Sequence, residues 1–175
     1  MSDDTVRMFV ALWPGQAVRE ALRQWRNGVA WPPSASPVGT KQLHVTLHFL
    51  GSVTRERIPE LAQGLDVRID PFELEFGHRE VWHGGVAVLA PDLVPAPLLA
   101  LHASLGDALV RMGLTPEARP YRPHVTLARR AGSLVETIQG PPIHWQIDGY
   151  ALMQSKVGDG SNYGVVRAYG ATGAM

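Results

Sequence analysis

Two histidines in this 175-residue chain sit in one four-residue frame: His44-Val45-Thr46-Leu47 returns 80 residues later as His124-Val125-Thr126-Leu127. In a strand, residues i and i+2 point to the same face. His44 and Thr46 therefore share a face while Val45 and Leu47 turn into a core, and His124 and Thr126 repeat the arrangement. Two imidazoles and two hydroxyls brought face to face match the needs of phosphodiester hydrolysis. A neutral imidazole takes a proton from water and an imidazolium gives one to the leaving oxygen; an unperturbed pKa of about 6.5 suits both jobs. Threonine hydroxyls donate to non-bridging oxygens as their charge grows. A single His-x-Thr on a strand is ordinarily a satisfied edge pair, but a structural role gives no reason for a second matched copy.

The strands and helices around the two motifs are read from apolar spacing. Val6 to Leu12 is an apolar run closed by Pro14 and Gly15, which reads as a buried strand. Val18, Ala21, Leu22 and Trp25 recur at helical steps and predict an amphipathic helix over 16–27. The prolines of 31–39 predict a loop, 43–50 a strand ended by Gly51, and 55–65 a second helix. Strands are expected over 72–82 and 86–90, joined by a His83-Gly84-Gly85 turn. Leu98, Leu101, Leu105, Leu109 and Met112 mark a long helix with Gly113 as its cap. Further strands are expected over 124–128, 144–154 and 164–169. Each motif opens a strand, so the chain reads as α+β and bilobal: two similar halves, each with an antiparallel sheet and packed helices, one motif per lobe facing a central cleft. No linker divides residues 1–175, which read as a single domain.

Composition narrows the chemistry. Sixteen basic and 16 acidic residues cancel, which argues against a general binder of long duplexes. The absence of cysteine excludes disulfides, thiolate nucleophiles and Cys-based metal sites. The N-terminus carries acids where a signal peptide has bases, and no run approaches the ~20 apolar residues of a membrane span; the expectation is a soluble, cytoplasmic protein with no membrane association and no obligatory protein partner. There is no Gly-x-Ser-x-Gly elbow, P-loop or dinucleotide fingerprint.

The paired motifs resemble the two HxTx signatures of the 2H phosphoesterase superfamily, and within it the RNA 2′,3′-cyclic phosphodiesterases, historically called 2′-5′ RNA ligases. The likeness extends to Arg7-Met8-Phe9-Val10-Ala11-Leu12, to 43–51, to Arg119-Pro120-Tyr121-Arg122-Pro123-His124, and to a tail with Ser155, Gly160 and Tyr163. The resemblance implies a bilobal α+β fold and opening of 2′,3′-cyclic phosphates, at RNA 3′ ends or on small cyclic nucleotides, to 2′-phosphates, with weak reverse 2′-5′ joining. It implies His44 as proton donor, His124 as proton acceptor, and Thr46 and Thr126 as phosphate holders. No cofactor and no metal is expected.

Residues around the pair add substrate-binding candidates. Arg119, Arg122, Arg129 and Arg130 form a run without acids beside His124, suited to phosphate. Strand parity favours Arg130, whereas the family's arginine, five residues past the second histidine, lands on Arg129; Arg129 is preferred because parity is easily lost at a bulge. Tyr121 and Phe9 are candidates for stacking on a terminal base, although Phe9 also suits a core. His48 shares the parity of His44 and Thr46 and is expected to line the same cleft. Two rival readings remain: a metal-dependent hydrolase ligated by His44, His48 and His124, and a non-catalytic module that binds RNA ends.

Overall fold

A computed structural model of the chain describes residues 4–134, 137–155 and 162–170; Gly160 of the family-like tail lies outside them. The strands are β1 (Thr5–Leu12), β2 (Ser36–Pro37), β3 (Val45–Thr54), β4 (Phe72–Trp82), β5 (Val86–Pro91), β6 (Val125–Arg129), β7 (Ile138–Ile147), β8 (Gly149–Ser155) and β9 (Tyr163–Gly170). The α-helices are α1 (Gln16–Asn27), α2 (Ile58–Gly64) and α3 (Ala96–Arg111). This is the α+β architecture that the strand and helix patterns predict. All strands join one antiparallel sheet in the order β7-β4-β5-β6-β3-β1-β8-β9, with β2 paired to β6. The expected pair of sheets is therefore a single sheet whose two four-strand halves meet at β3 and β6.

Each half contains a strand–helix–strand unit with a motif leading into its second strand: β1-α1-β3 and β5-α3-β6. The units meet through one residue pair, Val45 with Val125. These are equivalent positions of the two motifs, so the antiparallel pairing is a local two-fold axis.

Alternation sends one side chain of each strand to the helical side and the next to the opposite side. Met8, Val10 and Leu12 of β1 join Leu22 of α1, Leu101 and Leu105 of α3, and Leu89 and Val125 in the main core. Phe9 and Ala11 face the other way, packed with Ala151, Met153, Trp13 and Tyr163. Helix α1 begins after Pro14, buries Leu22, and packs Val18, Ala21 and Trp25 on the core, as its apolar spacing predicts. Helix α3 stops at Met112, and Gly113 comes next at φ 81°. Its N–H bonds the Val110 carbonyl at 3.0 Å, and the Leu114 N–H bonds Leu109 at 2.9 Å. That is a Schellman closure, which needs the left-handed conformation glycine adopts without a Cβ penalty.

Two strand boundaries differ from the sequence pattern. Gly51 does not end β3. At φ 75° it accommodates a register shift opposite Met8 and Phe9, and pairing continues to Thr54. The expected strand over 144–154 is two strands, β7 and β8, which break at Asp148 and lie in opposite halves of the sheet.

Candidate active site

Both histidines stand one residue before their strands, and both are held by the same local bond. His44 Nδ1 donates to the Gln42 carbonyl at 2.6 Å, and His124 Nδ1 donates to the Arg122 carbonyl at 2.8 Å. Committing Nδ1–H to a backbone oxygen leaves Nε2 as the lone-pair nitrogen of each neutral ring. The hydroxyl of Thr46 donates to His44 Nε2 at 2.9 Å; among the described residues His124 has no such bond with Thr126. The segment leading into the first motif is tied to α1, because the Arg19 guanidinium bonds the carbonyls of Thr40 at 2.7 Å and Leu43 at 3.1 Å.

The Val45–Val125 pairing decides which groups oppose one another. In an antiparallel pair, one step either side of the partners places His44 against Thr126 and Thr46 against His124. The four polar groups thus cluster about the two-fold on the face away from the helices. The two imidazoles lie close enough for charge on His124 to disfavour charge on His44, a smaller contribution to the lowered pKa of His44.

Aromatic rings surround the first histidine. Phe9, Trp13 and Tyr163 have ring centroids 5.1, 5.6 and 5.6 Å from that of His44. Burial among them pushes the His44 imidazole down to about 4, with smaller contributions from the Arg19 and His124 charges and an opposing one from the Gln42 carbonyl. His124 packs at 4.5 Å on Trp82, over which the Arg122 guanidinium sits at 4.0 Å. Its pKa is also lowered, first by burial and then by the Arg122 and Arg129 charges, against a rise from the Arg122 carbonyl. Trp82 is itself held by a 2.7 Å bond from Nε1 to Glu80.

A bulge recurs at the same place in both motifs. Consecutive residues Val10 and Ala11 pair with His48 and Thr46, while Ala87 and Val88 pair with Ala128 and Thr126. Leu47 and Leu127 are the extra residues, and each reverses the parity of the residues after it. His48 therefore leaves the cleft face, which corrects the expectation that it lines the cleft. It is buried against α3, with Nε2 2.8 Å from the His102 carbonyl and its ring stacked on His102 at 4.0 Å. The same reversal brings Arg129 to the His124 face. Arg130, at φ 54°, instead turns to the Ser36 hydroxyl.

The other candidates separate similarly. Tyr121 stacks one face on His102 at 4.0 Å and donates its hydroxyl to the Thr46 carbonyl at 2.8 Å, which ties it behind the motif as a buttress. Phe9 faces the cleft side but is only 5% exposed, covered by His44, Phe49 and Tyr163. Arg119 pairs with Glu117 at 3.1 Å, so the basic run is partly neutralised. The metal rival loses its third ligand with His48; among the described residues the grouped metal-ligating atoms belong to exposed Glu73, Glu75 and His144. Trp13, Tyr163 and Trp82 were not assigned to the site from the sequence, although Trp13 shares the period-two face of Phe9 and Ala11. A recess of about 820 Å³ between α1 and β7, lined by Trp25, Arg79 and Ile143, contains none of the motif residues.

The family profile of the 2′-5′ RNA ligase superfamily matches residues 13–159, which include both motifs. The chain belongs to that superfamily. Within it, the RNA 2′,3′-cyclic phosphodiesterase of Escherichia coli is 32% identical over 79% of this chain and 80% of its own length. That of Thermus thermophilus is 29% identical over 87% and 83%. Among solved structures, E. coli LigT complexed with 3′-AMP superposes with a TM-score of 0.82 at 27% identity, covering 96% of this chain and 99% of that one. A structure described as a phosphoesterase gives 0.81 at 28%, over 94% and 97%.

Proposed function

We propose that the chain, acting as one 2H domain over residues 1–175, opens 2′,3′-cyclic phosphates at RNA 3′ ends or on small nucleotides to 2′-phosphomonoesters, without a metal ion. The observation that carries this is the meeting of the two motifs about the Val45–Val125 pair, which turns two imidazoles with committed Nδ1–H groups toward one space. Water attacks phosphorus while His124 Nε2 takes its proton. The P–O3′ bond breaks, and His44 Nε2 gives a proton to the departing 3′ oxygen, leaving the phosphate on O2′. Thr46 and Thr126 donate to the non-bridging oxygens, and Arg129 and Arg122 add positive charge. With a 5′-hydroxyl in place of water, the same groups join RNA ends through a 2′-5′ bond: His124 takes the hydroxyl proton, the P–O3′ bond breaks, and His44 protonates the departing 3′ oxygen.

Burial keeps both imidazoles neutral at pH 7 in the empty site. A bound phosphodiester anion favours the imidazolium form beside it, so the substrate itself recruits the acid proton. The names of the curated relatives support the substrate class, and the LigT complex supports a nucleotide monophosphate as a ligand of this fold. No helix among the described residues is long and apolar enough to cross a membrane. The test is turnover of adenosine 2′,3′-cyclic phosphate by the chain and by His44→Ala and His124→Ala. Loss in both variants supports two-histidine catalysis; binding without turnover by the unaltered chain supports the RNA-end module instead.

A further inference from the structure

Each motif histidine lies against a tryptophan, and each tryptophan carries an arginine. The His44 ring stacks on Trp13 with centroids 5.6 Å apart and planes 29° apart, and the Arg19 guanidinium sits 4.8 Å from the Trp13 ring. The His124 ring packs on Trp82 at 4.5 Å, and the Arg122 guanidinium sits at 4.0 Å over the same indole. The two-fold does not explain this recurrence. One step beyond the Leu12–Val45 pair, Trp13 stands opposite His44. One step beyond the Leu89–Val125 pair the equivalent residue is Ala90, opposite His124, and a methyl group cannot wall an imidazole. Trp82 comes instead from the end of β4, whose counterpart in the other half of the sheet is β8. The same packing is thus assembled twice from non-equivalent positions, which a repeated strand pattern alone would not produce.

Each indole is also fixed from behind. Arg19 donates to the carbonyls of Pro14, Thr40 and Leu43 at 3.3, 2.7 and 3.1 Å, which locks the cation between Trp13 and the approach to the first motif. The Trp82 N–H donates to Glu80 Oε2 at 2.7 Å, and the other oxygen of that carboxylate accepts from His78 Nε2 at 3.0 Å. The Trp82 bond, then the His78 bond and the Arg122 charge, hold the Glu80 carboxyl below its ordinary value against the effect of burial. An imidazole lying on a fixed indole loses the rotations that would turn Nε2 away from the reacting atoms.

Resting on the two-histidine reaction proposed above, we propose that Trp13 and Trp82 are positioning residues for it, each fixing the plane of its own histidine, with Arg19 and the Glu80 carboxylate fixing the indoles. The experiment titrates the His44 and His124 rings by NMR in the unaltered chain, Trp13→Ala and Trp82→Ala, and measures kcat and KM on adenosine 2′,3′-cyclic phosphate. Burial is the largest cause of the lowered basicity of both rings. Removing an indole therefore moves its own histidine upward and leaves the other in place. In each variant kcat falls about tenfold while KM changes less than about twofold. Trp82→Phe keeps a ring without the N–H, so it moves His124 in the same direction even if the alanine variant does not fold. Glu80→Ala lowers kcat likewise, and Glu80→Gln, which keeps an oxygen for the indole N–H, restores it. A histidine unmoved in its own tryptophan variant, equal movement of both histidines, or a lower Tm with kcat unchanged overturns the proposal. The titrations need no substrate, so failure of the activity and failure of the positioning are told apart.

Discussion

Val45 and Val125 are each other's antiparallel partners across the junction of β3 and β6. Both are fully buried, so the pair anchors the two motifs from the core side. On the opposite face the same pairing sets each histidine across from the other motif's threonine. The geometry of the proposed centre is thus a consequence of strand register, which one buried face specifies strongly because a one-residue slip would turn every side chain over.

If the threonines stabilise charge on the non-bridging oxygens, removing either should be costly. Thr46→Ala and Thr126→Ala are each expected to lower kcat about a hundredfold, with less than a twofold change in KM for the mononucleotide. Steady-state kinetics on adenosine 2′,3′-cyclic phosphate checks this, and a pure KM effect would contradict it.

The pH profile is set by the lowered imidazole pKa values. The proposed mechanism needs one ring neutral and one protonated, and kcat/KM reports the free protein. With His44 at about 4 and His124 below its ordinary value, the population with a single proton is greatest below pH 6.5. The maximum of kcat/KM is expected there, falling as pH rises through neutrality. The kcat profile lies higher, because the bound anion raises both values. A kcat/KM maximum above pH 7 would contradict this ordering.

Arg129 and Arg130 separate by measurement. Arg129→Ala should raise KM and move the His124 titration upward, since one of the charges that lowers it is lost. Arg130→Ala removes a bond to Ser36 outside the cleft and should change KM less than twofold. Kinetics together with NMR titration of the His124 ring distinguishes them.

Tyr121 belongs to the stability of the site. Tyr121→Phe leaves the ring stacked on His102 but removes the hydroxyl bond to the Thr46 carbonyl. A loss of about 1 kcal/mol, or about 3 °C in Tm, is expected from thermal unfolding. A neutral result would mean that water replaces the bond.

Much of this was legible in residue order. The repeated motif, the apolar stripe of α1 and the leucine spacing of α3 each rest on local periodicity. What escaped is long-range or irregular. The bulges at Leu47 and Leu127 leave no mark in an apolar run, yet they decide the faces of His48 and Arg129. Tyr121 reads as a stacking candidate in a proline-rich loop, but its ring packs on His102, a residue of α3. The merging of both halves into one sheet rests on the Val45–Val125 contact, which no local pattern announces. Trp82 approaches His124 from a strand that comes after the first motif in the chain but lies in the half of the sheet that carries the second.

The central claim is that two histidines, and no metal ion, open a cyclic phosphate. The most direct test incubates a short oligonucleotide ending in a 2′,3′-cyclic phosphate with the protein in excess EDTA and identifies the position of the product phosphate. Turnover to a 2′-phosphate, reduced at least about a hundredfold in both His44→Ala and His124→Ala, is the predicted result. Turnover only after a divalent metal is added, or full activity in either variant, would contradict it.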